Sequence, residues 1–164
     1  MDLTQFTLEE LLLTAIKSEI EAFKIYSGLA QQVKNAALKD HLEFLAGEEK
    51  KHEDFLIKAY KDIFPEREIK PPDKTPVPLP SIHIEHELVK LSEILEQAME
   101  AEMAAHEFYK ELAKRFDDNR GVKNMLIKLS DMEMKHYKIL EEEKEEVEKT
   151  EDSDIDWGMI HVGP

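Results

Sequence analysis

The chain has 164 residues, 41% hydrophobic and 36% charged, with a formal net charge of −15 at pH 7. That length suits one domain able to bury about two-thirds of its unfolded surface, and the acidic balance argues against nucleic acid or an anionic membrane surface, which need a Lys/Arg surplus. Cysteine is absent, which excludes disulfides, thiolate zinc sites, iron–sulfur clusters and a cysteine nucleophile, so any metal must be held by nitrogen and oxygen.

No apolar run approaches the ~20 residues of a membrane span, and no basic-then-apolar leader opens the chain, so a cytoplasmic protein is expected. The first helix, A, starts after Phe6-Thr7-Leu8-Glu9-Glu10-Leu11. Thr7 can cap it, Glu10 can complete a capping box, and Phe6 can staple against Leu11. Helix A is predicted to run to about Val33. Its inward stripe is Leu8, Leu12, Ala15, Ile16, Glu19, Ala22, Phe23, Tyr26, Leu29, Ala30 and Val33. Glu19 stands mid-stripe, where an apolar residue would be expected.

Asn35 suits a turn and cap, and helix B is predicted to about Tyr60, with Leu38, Leu42, Leu45, Glu49, His52, Phe55, Leu56 and Ala59 inward. Gly28 and Gly47 interrupt these helices at up to ~1 kcal/mol each relative to alanine. They are either points of close approach or indifferent surface positions.

Residues 63–80 hold six of the seven prolines: Pro65, Pro71, Pro72, Pro76, Pro78 and Pro80. Such a stretch is extended rather than helical. At ~3 Å per residue it reaches ~50 Å, enough to travel the length of a ~25-residue helix. A crossover over about 61–81 between two hairpins is therefore predicted.

Helix C is predicted from near Ile82 to near Phe116, with Leu88, Leu91, Leu95, Ala98, Met99, Glu102, Ala105, Tyr109, Leu112, Ala113 and Phe116 inward. Asp117-Asp118-Asn119-Arg120-Gly121 is a turn cluster. Helix D follows with Val122, Met125, Leu126, Leu129, Glu133, His136, Ile139 and Leu140, then ends in a solvated acidic run, 141–146. The bundle is expected over 1–149. The tail, 150–164, is acidic and then apolar around Ile155, Trp157, Met159, Ile160 and Val162, and either docks on the bundle or a partner subunit or stays flexible.

The two halves repeat each other. Shifted by 83 residues, Leu12, Ala15, Glu19, Ala22, Tyr26, Leu29 and Ala30 fall on Leu95, Ala98, Glu102, Ala105, Tyr109, Leu112 and Ala113. Shifted by 84, Leu42, Leu45, Glu49 and His52 fall on Leu126, Leu129, Glu133 and His136. Each hairpin thus carries a glutamate and then Glu-x-x-His, whose i and i+3 members share a helix face. All four carboxylates arrive about level, near mid-bundle. Ionised and unpaired there, each would cost several kcal/mol, and no lysine or arginine falls on the inward stripes. Two divalent cations would neutralise four glutamates and leave coordination positions open. Mixed imidazole and carboxylate ligation suits iron or manganese, and zinc by affinity.

This pattern resembles the rubrerythrin and ferritin-like di-iron family over about residues 7–147. The resemblance implies an all-α, ferritin-like four-helix bundle. It also implies that Glu19, Glu49, His52, Glu102, Glu133 and His136 hold two iron ions, with Tyr26 and Tyr109 as hydrogen-bond partners of the carboxylates. Two departures stand out. Rubrerythrins carry an extra glutamate one turn after the helix C ligand; here Ala105 is followed by His106, a flanking residue or a seventh ligand. They also usually carry an iron–cysteine module, absent here, so electrons would need a separate donor protein.

Among other candidates, Glu48 either hydrogen-bonds a ligand histidine or faces solvent. His83 and His86 read as surface histidines, and the methionines as core filler. The resemblance implies reduction of hydrogen peroxide or dioxygen, a detoxifying peroxidase-like role, in a homodimer or higher homo-oligomer. The alternatives are iron oxidation and storage in a closed cage, a small-molecule oxygenase (favoured by a substrate pocket beside the metals), and a metal-free interaction bundle.

Overall fold

The computed structural model describes residues 1–77, 79 and 90–151, with side chains through Lys149. Among the described residues four helices follow in order: α1 Leu8–Gln32, α2 Ala36–Ile63, α3 Leu91–Ala113 and α4 Arg120–Glu151. No strand occurs among the described residues, and none of the described helices is long and apolar enough to cross a membrane.

Local chemistry sets the helix ends. The Thr7 hydroxyl accepts from the Glu10 N–H at 3.2 Å, and the Glu10 carboxylate accepts from the Thr7 N–H at 2.8 Å. This capping box is worth about 1 kcal/mol. Asn35 Oδ1 accepts from the N–H groups of Ala37 and Leu38 at 2.9 and 3.2 Å, and Asn119 Oδ1 accepts from Val122 N–H at 3.2 Å.

Helix α3 differs from its expected bounds. Lys90 is extended (φ −65°, ψ 142°) and caps the helix without a side-chain bond, so α3 begins at Leu91 rather than continuing from Ile82. It stops at Ala113, because the N–H groups of Lys114, Arg115 and Phe116 bond three residues back and tighten the chain into a turn. Leu88, His83 and His86 lie outside the described residues, as do Ile155, Trp157, Met159, Ile160 and Val162. Helix α2 runs three residues past Tyr60, and α4 continues to Glu151.

The core is split in two. One apolar cluster contains Leu11, Leu12, Ile16, Leu56, Tyr60, Tyr109, Leu112, Phe116, Leu126 and Leu129. The other contains Tyr26, Leu29, Leu38, Leu42, Leu45, Ile94, Leu95, Leu140 and Val147. The α1–α2 turn therefore lies at the second cluster's end and the α3–α4 turn at the first's, so the hairpins point in opposite directions. Helix α2 ends beside the first cluster while α3 starts in the second, and the crossover must traverse the bundle. On its way Phe64, Ile69, Val77 and Leu79 pack on the first cluster. Tyr60 donates to Glu9 at 2.8 Å, and Arg67 pairs with the same carboxylate.

Backbones pack closely within each hairpin and between α2 and α4; α1 and α3 meet through side chains. The crossover also explains why Leu11 and Thr14 are fully buried beyond the predicted α1 stripe: α1 is covered on a second side, so its inward arc is wider than one stripe. On α4, Met125 is 36% exposed, against expectation.

Candidate metal centre

Between the two apolar clusters lies a polar layer. Glu19, Glu49, His52, Glu102, Glu133 and His136 meet there, none more than 4% exposed. Nδ1 of His52 lies 3.0 Å from Glu133, 3.1 Å from Glu49 and 3.4 Å from Glu19. Nδ1 of His136 lies 3.0 Å from Glu49, 3.1 Å from Glu133 and 3.7 Å from Glu102. Glu49 turns one oxygen to each ring and so does Glu133, whereas Glu19 and Glu102 each serve one side. Two donor groups result: Glu19, Glu49, His52 and Glu133; and Glu49, Glu102, Glu133 and His136. Within each, one ligand atom per residue falls within 4.8 Å of the others. The rings of His52 and His136 stack with centroids 5.5 Å apart.

The halves are locked together crosswise. Tyr26 donates its hydroxyl to Glu102, and Tyr109 to Glu19. Each tyrosine sits two turns past one hairpin's glutamate yet holds the other hairpin's. This reciprocity requires α1 and α3 to run antiparallel, with an approximate two-fold axis through the layer.

The donor set fits metal. Both nitrogens of His52, Nδ1 of His136, both oxygens of Glu133 and Oε1 of Glu49 are buried without a hydrogen bond, although they approach one another to about 3 Å. Atoms that crowd a common point without bonding are costly unless a cation sits among them. Without a cation, protons take its place in the layer. Burial, then the charges of Glu49 and Glu133, push Glu19 well above the usual carboxylate range. Burial and the charge of Glu49 do the same to Glu102. Burial alone would lower His52, but Glu133, Glu19 and Glu49 outweigh it, and the ring is pushed up to about 12. His136 is likewise raised despite burial, by Glu102, Glu133 and Glu49. Glu49 is held below the carboxylate range, because the two rings outweigh its burial. Burial and the glutamates they hold push both tyrosines upward.

A chamber of about 590 Å³ opens onto this layer between α1, α3 and the crossover, touching Glu19, Glu49, Glu102 and Glu133 but neither histidine. Lys17 closes part of its outer side, donating to the Pro72 carbonyl at 2.8 Å and to that of Asp73. Thr14 lines the chamber with a buried hydroxyl that has no partner. Neither residue stood out in the sequence; the proline-rich crossover was the one available sign of a covering strap.

His106 is not brought to the cluster. One turn past Glu102 it faces the α3–α4 seam, where its Nδ1 donates to the Ser130 carbonyl at 2.8 Å and the Ser130 hydroxyl donates to the His106 carbonyl at 2.9 Å. It is a strut between helices rather than a seventh ligand. Glu48 pairs with Lys51 and stands within 4.8 Å of ring nitrogens of His52 and His136.

A family model described as rubrerythrin matches residues 10–90 and 93–158. A solved structure, described as a hypothetical protein (Pfu-1136390-001) from Pyrococcus furiosus, is 37% identical, covers 90% of this chain and 94% of its own, and superposes with a TM-score of 0.76. No curated protein matches the sequence. With a family match over most of its length and a buried carboxylate–histidine layer able to hold metal, the chain belongs to the rubrerythrin family.

Proposed function

We propose that the protein is a di-iron oxidoreductase that reduces hydrogen peroxide or dioxygen at the carboxylate–histidine layer. The observation that carries this reading is the pair of four-residue donor groups sharing Glu49 and Glu133, beside a chamber that reaches the carboxylates from the side away from the histidines. Glu19, Glu49, His52 and Glu133 would hold one ion, and Glu49, Glu102, Glu133 and His136 the other. Bound iron supplies two reducing equivalents, one per ion, to an O–O bond.

The chain's own groups do the positioning. Tyr26 and Tyr109 fix Glu102 and Glu19 by hydrogen bonds, so the carboxylates keep their aim as charge changes. The apolar clusters above and below exclude water from the layer. Among the described residues, the chamber at the α1–α3 seam reaches the layer. Electrons come from a separate donor protein, because the chain has no cysteine to carry an iron–sulfur relay, and a homodimer or higher homo-oligomer is the assembly we favour. A detoxifying role in oxidative stress, in the cytoplasm, is the role we favour.

The test combines metal content of the freshly purified protein with hydrogen peroxide consumption by the anaerobically reduced form. Two irons per chain and rapid reoxidation by peroxide are expected. Two irons without peroxide turnover would instead favour storage or oxygenation of an organic molecule. The chamber supports the second of these; a solution mass near that of a dimer would count against a storage cage.

A further inference from the structure

The chamber is far larger than the proposed reaction needs. Hydrogen peroxide and dioxygen each contain two heavy atoms, on the order of twice the ~30 Å³ share of a water molecule. The chamber measures about 590 Å³, within the ~300–1,000 Å³ range of pockets that hold organic molecules.

Its walls divide by chemistry. The inner end is the carboxylate layer. Ala22 and Ile25 of α1, Ala101 and Ala105 of α3, and Leu79 of the crossover present apolar surface beside it. Among these walls Thr14 places a hydroxyl that is 0% exposed and makes no hydrogen bond. An orphaned buried hydroxyl is destabilising unless something that enters the space satisfies it. The side chain at 105 is a single methyl, so the space beside Glu102 stays open. Lys17, fastened to the Pro72 and Asp73 carbonyls, keeps the crossover over α1. The result is a partly covered cavity with carboxylates at its floor, apolar surface beside them, a buried unpartnered hydroxyl, and charged residues such as Glu21, Lys24 and Lys74 elsewhere on its lining.

We propose that the chamber admits organic hydroperoxides, R–O–O–H, with the peroxide end at the carboxylate layer, R against the apolar wall, and an oxygen within reach of Thr14. This rests on the peroxide-reducing reading above and names the substrate class. The balance is R–OOH + 2 H⁺ + 2 e⁻ → R–OH + H₂O. The O–O bond breaks, both of its oxygens are reduced, and the protons come from solvent at the open side. The two electrons are those of the reduced iron pair, which the donor protein restores. An organic hydroperoxide brings the O–O bond and the organic group in one molecule, so one guest uses the whole chamber.

The anaerobically reduced, iron-loaded protein is mixed in turn with hydrogen peroxide, tert-butyl hydroperoxide and cumene hydroperoxide, while iron oxidation is followed by absorbance and the alcohol product by chromatography. Reoxidation by all three, with one alcohol formed per iron pair, is the expected result. Ala22→Leu, which adds three carbons to the wall, and Thr14→Val, which removes the hydroxyl, should each lower the ratio of the organic-hydroperoxide rate to the hydrogen peroxide rate at least about tenfold. A readout independent of turnover guards against misfolding: the product alcohol of cumene hydroperoxide should bind zinc-loaded wild type, with contacts to Ala22 and Ile25 visible by NMR. Reduction of hydrogen peroxide without reaction of either organic hydroperoxide, or an unchanged rate ratio in both variants, overturns the proposal and leaves peroxide reduction standing. Failure of every peroxide to oxidise the protein overturns both.

Discussion

The two hairpins contribute the same polar residues to the same layer but meet the space outside it differently. Helix α1 lines the chamber with Thr14, Lys17, Ser18 and Ala22; α3, at the positions 83 residues on, has Gln97, Glu100, Ala101 and Ala105, of which only the two alanines do so. The turns differ as well: residues 33–35 join α1 to α2, whereas 114–119 join α3 to α4. What the halves share is what two like cations require. What they do not share lies where the crossover covers α1, beside the chamber proposed to admit a guest. Symmetry marks the metal chemistry and asymmetry marks the substrate side.

The largest effects should come from the shared ligands. Glu49→Ala and Glu133→Ala each remove a residue common to both donor groups, so each variant should lose both ions and all peroxide turnover. Glu19→Ala and Glu102→Ala remove a residue from one group only and should retain about one ion per chain. Elemental analysis of the four purified variants measures this. Retention of both ions by Glu49→Ala would break the equivalence of the hairpins at the layer.

Metal removal should show how heavily both halves lean on the cations. In the metal-free protein Glu19, Glu102, His52 and His136 all hold protons more tightly folded than unfolded. Their contribution to stability is therefore fully present below the ordinary values of 4.5 and 6.5. It is lost as pH rises through that range toward the folded value of about 12 for His52. Glu49, shifted downward, acts oppositely, but only as pH falls below the carboxylate range. The metal-free Tm should thus decline between about pH 5 and about pH 8, while metal affinity, which requires those protons to leave, increases. Zinc loading, which is redox-inert, should raise Tm by an amount that grows across that interval. At a free ion concentration a thousandfold above Kd this is about 4 kcal/mol per site. A gap between loaded and metal-free Tm that stays constant with pH would contradict the assigned protonation.

The tyrosines sharpen the comparison. Tyr26→Phe and Tyr109→Phe each strip a hydroxyl from a buried glutamate, and each should cost about 1–3 kcal/mol in zinc-loaded protein. Equal losses by denaturant unfolding would confirm the two-fold at the level of packing. Their kinetics should part, because Tyr26 lines the chamber and Tyr109 does not: Tyr26→Phe should lower the peroxide rate more than Tyr109→Phe. Equal kinetic effects would mean that the chamber is not the route in.

The residues of the polar layer were legible in the sequence because they break a rule twice. An acidic residue in an apolar stripe is conspicuous, and the same breach at matching positions in both halves selects Glu19, Glu49, Glu102 and Glu133 from the chain's other carboxylates. The reciprocal pairing of the tyrosines was not legible, because helical periodicity gives a face and not the direction in which two hairpins pack. Thr14 and Lys17 were missed for a related reason. A repeat reveals what the halves have in common, and Gln97 and Glu100 stand opposite them. Their roles arise from the crossover lying over α1, a contact distant in sequence. The start of α3 was misplaced because apolar spacing extends before Leu91 while the backbone at Lys90 is already extended.

The smallest expected effect concerns another asymmetry. Gly28 and Gly47 belong to the first hairpin, and the corresponding places in the second are Glu111 and Asp131. Both glycines lie inside regular helices, and a Cβ built at either meets nothing within 4 Å. Close approach of a neighbour in the chain is therefore not their reason for being there, and glycine's extra backbone freedom only penalises the helices. Gly28→Ala and Gly47→Ala should each stabilise by up to about 1 kcal/mol, raising Tm of the zinc-loaded protein by about 2–4 °C. A lowered Tm for either would mean that the missing Cβ makes room for something a single chain lacks, a second copy seated on the first hairpin. A concentration-dependent Tm in the same variant would then locate the subunit contact there.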